Sequence, residues 1–586
     1  MAKKTDIPIK DLVSMIQHGE LRLPEMQRRY VWTSTRVRDL LDSLYRGYPS
    51  GSILVWETDL EQPVRDLAVS QSDTPFSTYK LLLDGQQRLT SLSAVIRGEP
   101  VMVKNRQRPI DIAFNLDHPE GSPVELMEVE DDEESPMIKA DETQEEDAET
   151  AERQDSVIER LNKRTFAVAF RNLLAQPNWV SVTEVFNGQK SDWELLKDLV
   201  GTPDNAKFKF YSDRLQRLRN ICQYSYVMHV LGRDLSYEEV AEIFVRVNSL
   251  GAKLRGSDLA LAQVTAKWRN SLKLFEEFAE ECEEQQFTID VGLLVRLMVV
   301  FATKQCQFKT VSSIPLPTMQ ESWEKAKEGM RYAINFLRAN ADIEDESLLS
   351  SPYFIIPIAT YGILKDGKIS PADETAMLRW LYVANAKAHY SGSSESKLDY
   401  DVGLLFKGNS FDALIEPLHQ RYGRLHVEAG DFAGRDPRNA LFSLAYLALK
   451  HSGAKDWRTG LGLSLTHQGK LHYIEYHHIF PKSLLQKAGY EKAEINEIAN
   501  MAFISGRANR GISNKEPKDY FPGIIKERTE NALSSQYISL DKEMWEVTAY
   551  PHFLQYRRQE LAKAVNEFIE SACKAGRATT LASKAA

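Results

Sequence analysis

The chain has 586 residues, more than one core can hold, so roughly two to four domains are expected. Its 43% hydrophobic and 27% charged residues are those of a soluble globular protein. Cys222, Cys282, Cys306 and Cys573 stand apart without CxxC spacing, which excludes a disulfide scaffold and a zinc–cysteine site and points to a reducing compartment. With no signal-peptide core and no apolar run long enough to cross a bilayer, the expected location is cytoplasmic, with no membrane partner. The net charge of −10 is concentrated in the stretch 124–155, and the remainder is close to neutral, so total charge does not decide for or against DNA.

In chain order, Ile9–Gln17 reads as a helix, followed by an extended segment, Leu23-Pro-Glu-Met-Gln-Arg-Arg-Tyr-Val-Trp32. A helix capped by Ser34 or Thr35 runs to Arg46, with Val37, Leu40, Leu41 and Leu44 on its apolar face. Ser52–Trp56 and Tyr79–Asp84 read as buried strands, and the second opens through Gly85 into a helix. A strand ending in Asp-Gly before a helix suits a ligand. The glycine permits close backbone approach, and the helix N-terminus favours phosphate. Arg88 has the fork geometry for a phosphate, and Asp84 could hold a metal or position a water. The plain alternative is an Asp cap followed by solvated Gln and Arg side chains.

Further strands are expected at Asp111–Leu116, Thr165–Phe170, Trp179–Val182 and Tyr224–Leu231, and an amphipathic helix at Arg214–Cys222. The acidic stretch 124–155 lacks the apolar residues to order itself and reads as an exposed loop. Ser236 and Glu239 form a capping-box pattern before the next helix. From about residue 264 to 427 the pattern is mostly helical, suiting a spacer, a dimer surface or part of a DNA cradle, so a homodimer stays open. Tyr390–Ser394 reads as a flexible break.

The segment Leu471–Lys482 reads as a strand ended by Pro481, and Met501–Ile504 as a second strand just after Asn500. Residues from about Arg507 to Asn514 can start a helix or turn facing the first strand. Strand, strand and helix would bring His477, His478 and Asn509 to one point. A neutral imidazole can take a proton from water, and a second imidazole with an amide oxygen can hold a cation against a phosphate. A surface His-His pair with asparagines in turns is the plain alternative. A closing helix is expected from Pro551 to Lys574, its Arg557-Arg558 pair solvated or touching a backbone phosphate, with a frayed tail after it.

Glu475-Tyr-His-His-Ile-Phe-Pro-Lys482, Asn500 and Asn509-Arg-Gly-Ile-Ser-Asn-Lys515 together resemble the HNH, or ββα-metal, nuclease motif. On that resemblance His478 matches the general base, His477 and Asn509 the metal ligands, and Asn500 the central asparagine that ties the loop between the strands. His477 stands where many members carry Asp, which loosens the metal preference. Asn514 rivals Asn509, because spacing does not separate them.

Asp84-Gly-Gln-Gln-Arg-Leu-Thr90, with Gln27-Arg-Arg-Tyr-Val-Trp32 before it and Phe244, Arg246, Asn248 and Gly251 after it, resembles the N-terminal domain of GmrSD-type modification-dependent (type IV) restriction enzymes. The resemblance covers roughly the first 265 residues and again the HNH region. The single-chain form is similar to the BrxU-like branch. Leu250 stands where a second glycine is common, a departure that restricts the loop.

What the resemblance implies is an α+β multidomain chain. Residues 1–265 would form a ParB-like nucleotide-binding regulator, 266–435 a helical middle and 436–575 an HNH domain, with a disordered tail at 576–586. Asp84, Gly85, Gln86, Gln87, Arg88 and Thr90, supported by Gln27 and Arg28, would bind a nucleoside triphosphate (ATP, GTP or another). The implied activity is phage-defence cleavage of double-stranded DNA carrying modified cytosine, hydroxymethylated or glucosylated, or a sulfur-modified backbone. It would use Mg²⁺, Mn²⁺ or another divalent ion. Two other readings stand beside it: a nucleotide-driven DNA sensor that does not cut, and a DNA-backbone clamp that binds no nucleotide.

Overall fold

The computed structural model describes residues 3–25, 27, 30, 32–58, 64–65, 67, 69, 71, 79–99, 111–120, 158–188, 190–250, 256–392, 394–408, 410–465, 474–505, 512 and 515–583. Contacts among these residues divide the chain into two units, one running to Leu274 and one starting at Phe275. The architecture is mixed α and β, mostly helical with small sheets. No helix among the described residues is long and apolar enough to cross a membrane.

The first unit is built on a six-stranded mixed sheet of β1 (Lys3–Pro8), β2 (Leu21–Pro24), β3 (Ile53–Thr58), β4 (Val64–Arg65), β5 (Tyr79–Asp84) and β9 (Ser225–Leu231), in the order β1-β9-β3-β5-β2-β4. The pairs β9/β3 and β5/β2 are parallel and the others antiparallel. Alternation along the strands gives each face its own core. Ile53, Val55 and Leu82 pack with helices α1 (Ile9–Gln17), α2 (Ser34–Tyr45) and α3 (Gln86–Arg97). Leu54, Trp56, Leu81 and Leu83 face the opposite way and pack with Tyr237, Val240 and Phe244 of the helix Tyr237–Leu250.

Helix α1 has the expected bounds and buries Ile9, Leu12, Val13 and Ile16, one stripe of a 3.6-residue period. Helix α2 is capped one residue earlier than expected, by Thr33, whose side chain accepts from the Arg36 amide. Ser236 and Glu239 form the expected capping box. A second, antiparallel sheet has the order β7 (Phe166–Val168), β6 (Ile112–Asn115), β8 (Trp179–Ser181). Edge strand β1 was not expected: its exposed Lys3-Lys-Thr-Asp6 run has no alternating pattern, and pairing with β9 decides its conformation.

The second unit is helical around one small hairpin. Helices Leu316–Asn340 and Ile355–Leu364 pack closely because Gly329 and Gly362 sit at their contact: a Cβ on Gly362 would collide with the Tyr332 ring. The last helix, Tyr550–Ser583, continues through most of the stretch expected as a frayed tail, and packs on Pro371–Ala386 and Ala440–His451. Tyr390, expected in a flexible break, is buried, and its hydroxyl donates to Asp401. The hairpin pairs β10 (Ile474–His478) antiparallel with β11 (Met501–Ser505).

Candidate functional site

The hairpin register sets His478 opposite Met501 and His477 opposite Ala502. Successive strand residues leave on opposite faces, and the two imidazoles do so. His477 is 6% exposed, its ring beside those of Trp457 and Tyr520. His478 shares its face with Tyr476, and its Nε2 lies 3.1 Å from Oδ1 of Asn496. Burial, with the nearby Lys482 charge, pushes the His478 imidazole down to about 3, so the ring is neutral at physiological pH.

Most of the polar framework around His478 serves the loop that follows it. Asn500 is fully buried. Its Oδ1 accepts from the Phe480 amide at 2.9 Å, and its Nδ2 donates to the carbonyls of Phe480 (3.1 Å) and Ile495 (3.0 Å). Its own carbonyl accepts from the Ile479 amide, and the Tyr520 hydroxyl donates to the Ile479 carbonyl. The turn after β10 is therefore held from both sides.

The arginine pair of the last helix belongs to the same framework, and the expectation of a solvated or phosphate-touching pair is corrected here. Arg557 is fully buried and donates to the carbonyls of Ala499, Met501 and Gln536. Arg558 makes a two-pronged pair with buried Glu497, whose carboxylate also accepts from the Gly434 amide. A guanidinium enclosed by backbone carbonyls cannot reach a phosphate. Sequence reasoning missed Asn496 and Glu497, which sit between the hairpin strands with no distinctive spacing.

Asn509 and Asn514 lie outside the described residues; of the three side chains expected at one point, the described His477 and His478 leave β10 on opposite faces, with different neighbours. Among the described residues no group of three His, Cys, Asp or Glu side chains could hold a metal ion. Of the expected ligands the described residues supply His477 alone.

In the first unit, Gly85 precedes α3 with φ +102°, a left-handed conformation that favours glycine, and a Cβ there would press on Ile53. Arg88 turns back onto its own chain. It donates to the carbonyls of Ser50 (2.5 Å) and Ser52 (2.9 Å) and pairs with Asp84 at 3.0 Å. Its guanidinium fills the space where Gly51, at φ +95°, would carry a side chain. Buried Gln27 donates to the carbonyls of Leu82 and Leu83, beyond the last residue pair of β2 with β5. Gln87 accepts from the Trp32 amide and donates to Gln86, and Thr90 is fully buried in α3. Arg28 lies outside the described residues.

Glu25, just before this segment, is buried and accepts from the amides of Asn270 and Leu272, capping the helix Ser271–Glu284. In the third motif Phe244 is a core residue and Arg246 pairs with Glu242 on the exposed face. The side chains of Asn248 and Leu250, and all of Gly251, lie outside the described residues.

Over 569 residues the chain is 24% identical to a protein of Methanocaldococcus jannaschii named "Uncharacterized protein MJ0686", covering 89% of this chain and 88% of that one. Residues 9–265 match the family described as GmrSD restriction endonuclease, N-terminal domain. The similarity that carries a described activity thus lies in the first 265 residues, and it is to the N-terminal domain of GmrSD restriction endonucleases.

Proposed function

We propose that this chain is a modification-dependent DNA endonuclease of phage defence, in which a nucleotide-binding N-terminal region (1–265) regulates HNH-type cleavage by a C-terminal region (436–575). The observation that carries this is the match of residues 9–265 to a restriction-endonuclease domain. The C-terminal assignment is supported by a neutral imidazole at the end of a hairpin whose turn is braced by Asn500. Water attacks phosphorus while a ring nitrogen of His478 takes its proton, and the P–O bond to the leaving oxygen breaks. His477 with Asn509, or Asn514 in its place, would hold Mg²⁺, Mn²⁺ or another divalent ion, which when bound supplies charge to the phosphate and the leaving oxygen. Asp84, Gly85, Gln86, Gln87, Arg88, Thr90, Gln27 and Arg28 are assigned to the nucleoside triphosphate, and modified-cytosine duplex DNA is the substrate.

The test compares matched DNAs, unmodified and cytosine-modified, with Mg²⁺ and with or without nucleoside triphosphate. Cutting confined to modified DNA, altered by nucleotide, and reduced roughly 10²–10⁴-fold in His478→Ala is the expected result. Nucleotide turnover with no cutting of any DNA in any metal ion would replace the nuclease with a non-cutting sensor.

A further inference from the structure

The side chain hydrogen-bonded to His478 is one the nuclease motif does not contain. Asn496 follows the short helix Lys492–Ile495, and its Nδ2 donates to the Lys492 carbonyl at 3.2 Å. A carbonyl oxygen only accepts, so this contact fixes which end of the amide is the NH₂ group. The other end, Oδ1, is then the atom 3.1 Å from His478 Nε2. It too only accepts, so Nε2 must carry the hydrogen. In a neutral imidazole the second nitrogen, Nδ1, then holds the lone pair.

The backbone that carries Asn496 is held independently of this pair. The Asn496 amide donates to the Lys492 carbonyl, and Asn500 donates to the carbonyl of Ile495, the residue before it. The amide is therefore presented to the imidazole from a fixed support.

We propose that Asn496 is a positioning residue that holds His478 in the Nε2–H tautomer and so makes Nδ1 the atom that takes the proton from the attacking water. The proton's destination rests on the nuclease reading above; the tautomer rests on hydrogen bonding alone. In the step, the water O–H bond breaks with its proton passing to Nδ1, the water oxygen bonds to phosphorus, and the leaving oxygen departs with the electrons of its P–O bond.

The full chain, labelled with ¹⁵N in its histidine rings, tests this by NMR, the His478 signals being those lost in His478→Ala. The wild type is expected to show hydrogen on Nε2. Asn496→Ala should lose that single-tautomer signature and cut DNA about 10–100-fold more slowly in kcat with KM unchanged, by analogy with the loss when a partner orienting a metal-bound histidine is removed. Asn496→Asp, which keeps an acceptor oxygen, should restore the Nε2–H signature. Hydrogen on Nδ1 in the wild type overturns the proposal. So does an Asn496→Ala protein that keeps both the tautomer and the cleavage rate. If the tautomer depends on Asn496 but the wild type cuts no DNA, the assignment of Asn496 is upheld and the nuclease reading fails.

Discussion

The two polar constellations of this chain are held in different ways. In the N-terminal segment the motif residues are themselves the scaffold. Arg88 joins Asp84 to the turn at Ser50 and Ser52, and Gln27 extends the partners of β5 past the end of β2. In the C-terminal hairpin one motif residue, Asn500, shares the scaffold with Glu497, Tyr520 and Arg557 from outside the motif, around a histidine bonded to Asn496. A motif read from sequence records scaffolding as well as chemistry, and the hydrogen-bond partners tell the two apart.

A lowered basicity does not make that distinction. His118, in the first unit, is pushed down by burial to about 4, and it donates from Nδ1 to the Pro119 carbonyl while Nε2 faces the Tyr45 hydroxyl. It is a satisfied core histidine. At His478 it is Nε2 that donates, to Oδ1 of Asn496.

The comparison is broken most strongly at Asn500. Asn500→Ala removes three buried hydrogen bonds and leaves backbone groups of Phe480 and Ile495 without them, which should cost about 3–5 kcal/mol and abolish DNA cutting. Urea unfolding measures this, and a loss under about 1 kcal/mol would show that the turn does not depend on it. Arg88→Ala should cost about 1–2 kcal/mol, less because the guanidinium is partly exposed, and Gly51→Ala should act in the same direction by displacing it. Thermal unfolding beside nucleotide titration separates the roles. Arg88→Ala is expected to lose both stability and nucleotide binding, and unchanged stability would show that Arg88 does not brace the turn.

The smallest effect concerns pH. His118 is less basic folded than unfolded, so the unfolded chain binds more protons as pH falls from about 6.5 towards 4. Stability contributed by its neutral form is complete above that window and declines through it. His118→Phe, placed among Tyr45, Phe114 and Phe166, should flatten this part of the curve of urea midpoint against pH. An unchanged slope would remove His118 as its source.

Helices whose apolar residues repeat every three or four positions were legible, down to the bounds of Ile9–Gln17. So were β5 and the two hairpin strands, whose apolar runs stop before Gly85 and Pro481 and start after Asn500. The motif strings pointed to the family that residues 9–265 match. Strand β1 escaped because an exposed edge carries no alternating pattern, and Arg557 escaped because an arginine on a helix reads as solvated until its partners are known. Asn496 escaped for the same reason, being one polar residue among several between β10 and β11.

By itself the sequence determined the helical periods, the capping box at Ser236, the glycine before α3 and the order of the motifs, because each depends on residues close together in the chain. Only the tertiary structure decided which polar groups are structural and which face an imidazole. Gln27 meets Leu83 56 residues away, and Arg557 meets Met501 at the same separation. Burial makes such pairings obligatory, since a donor or acceptor removed from water must find a partner wherever the fold supplies one.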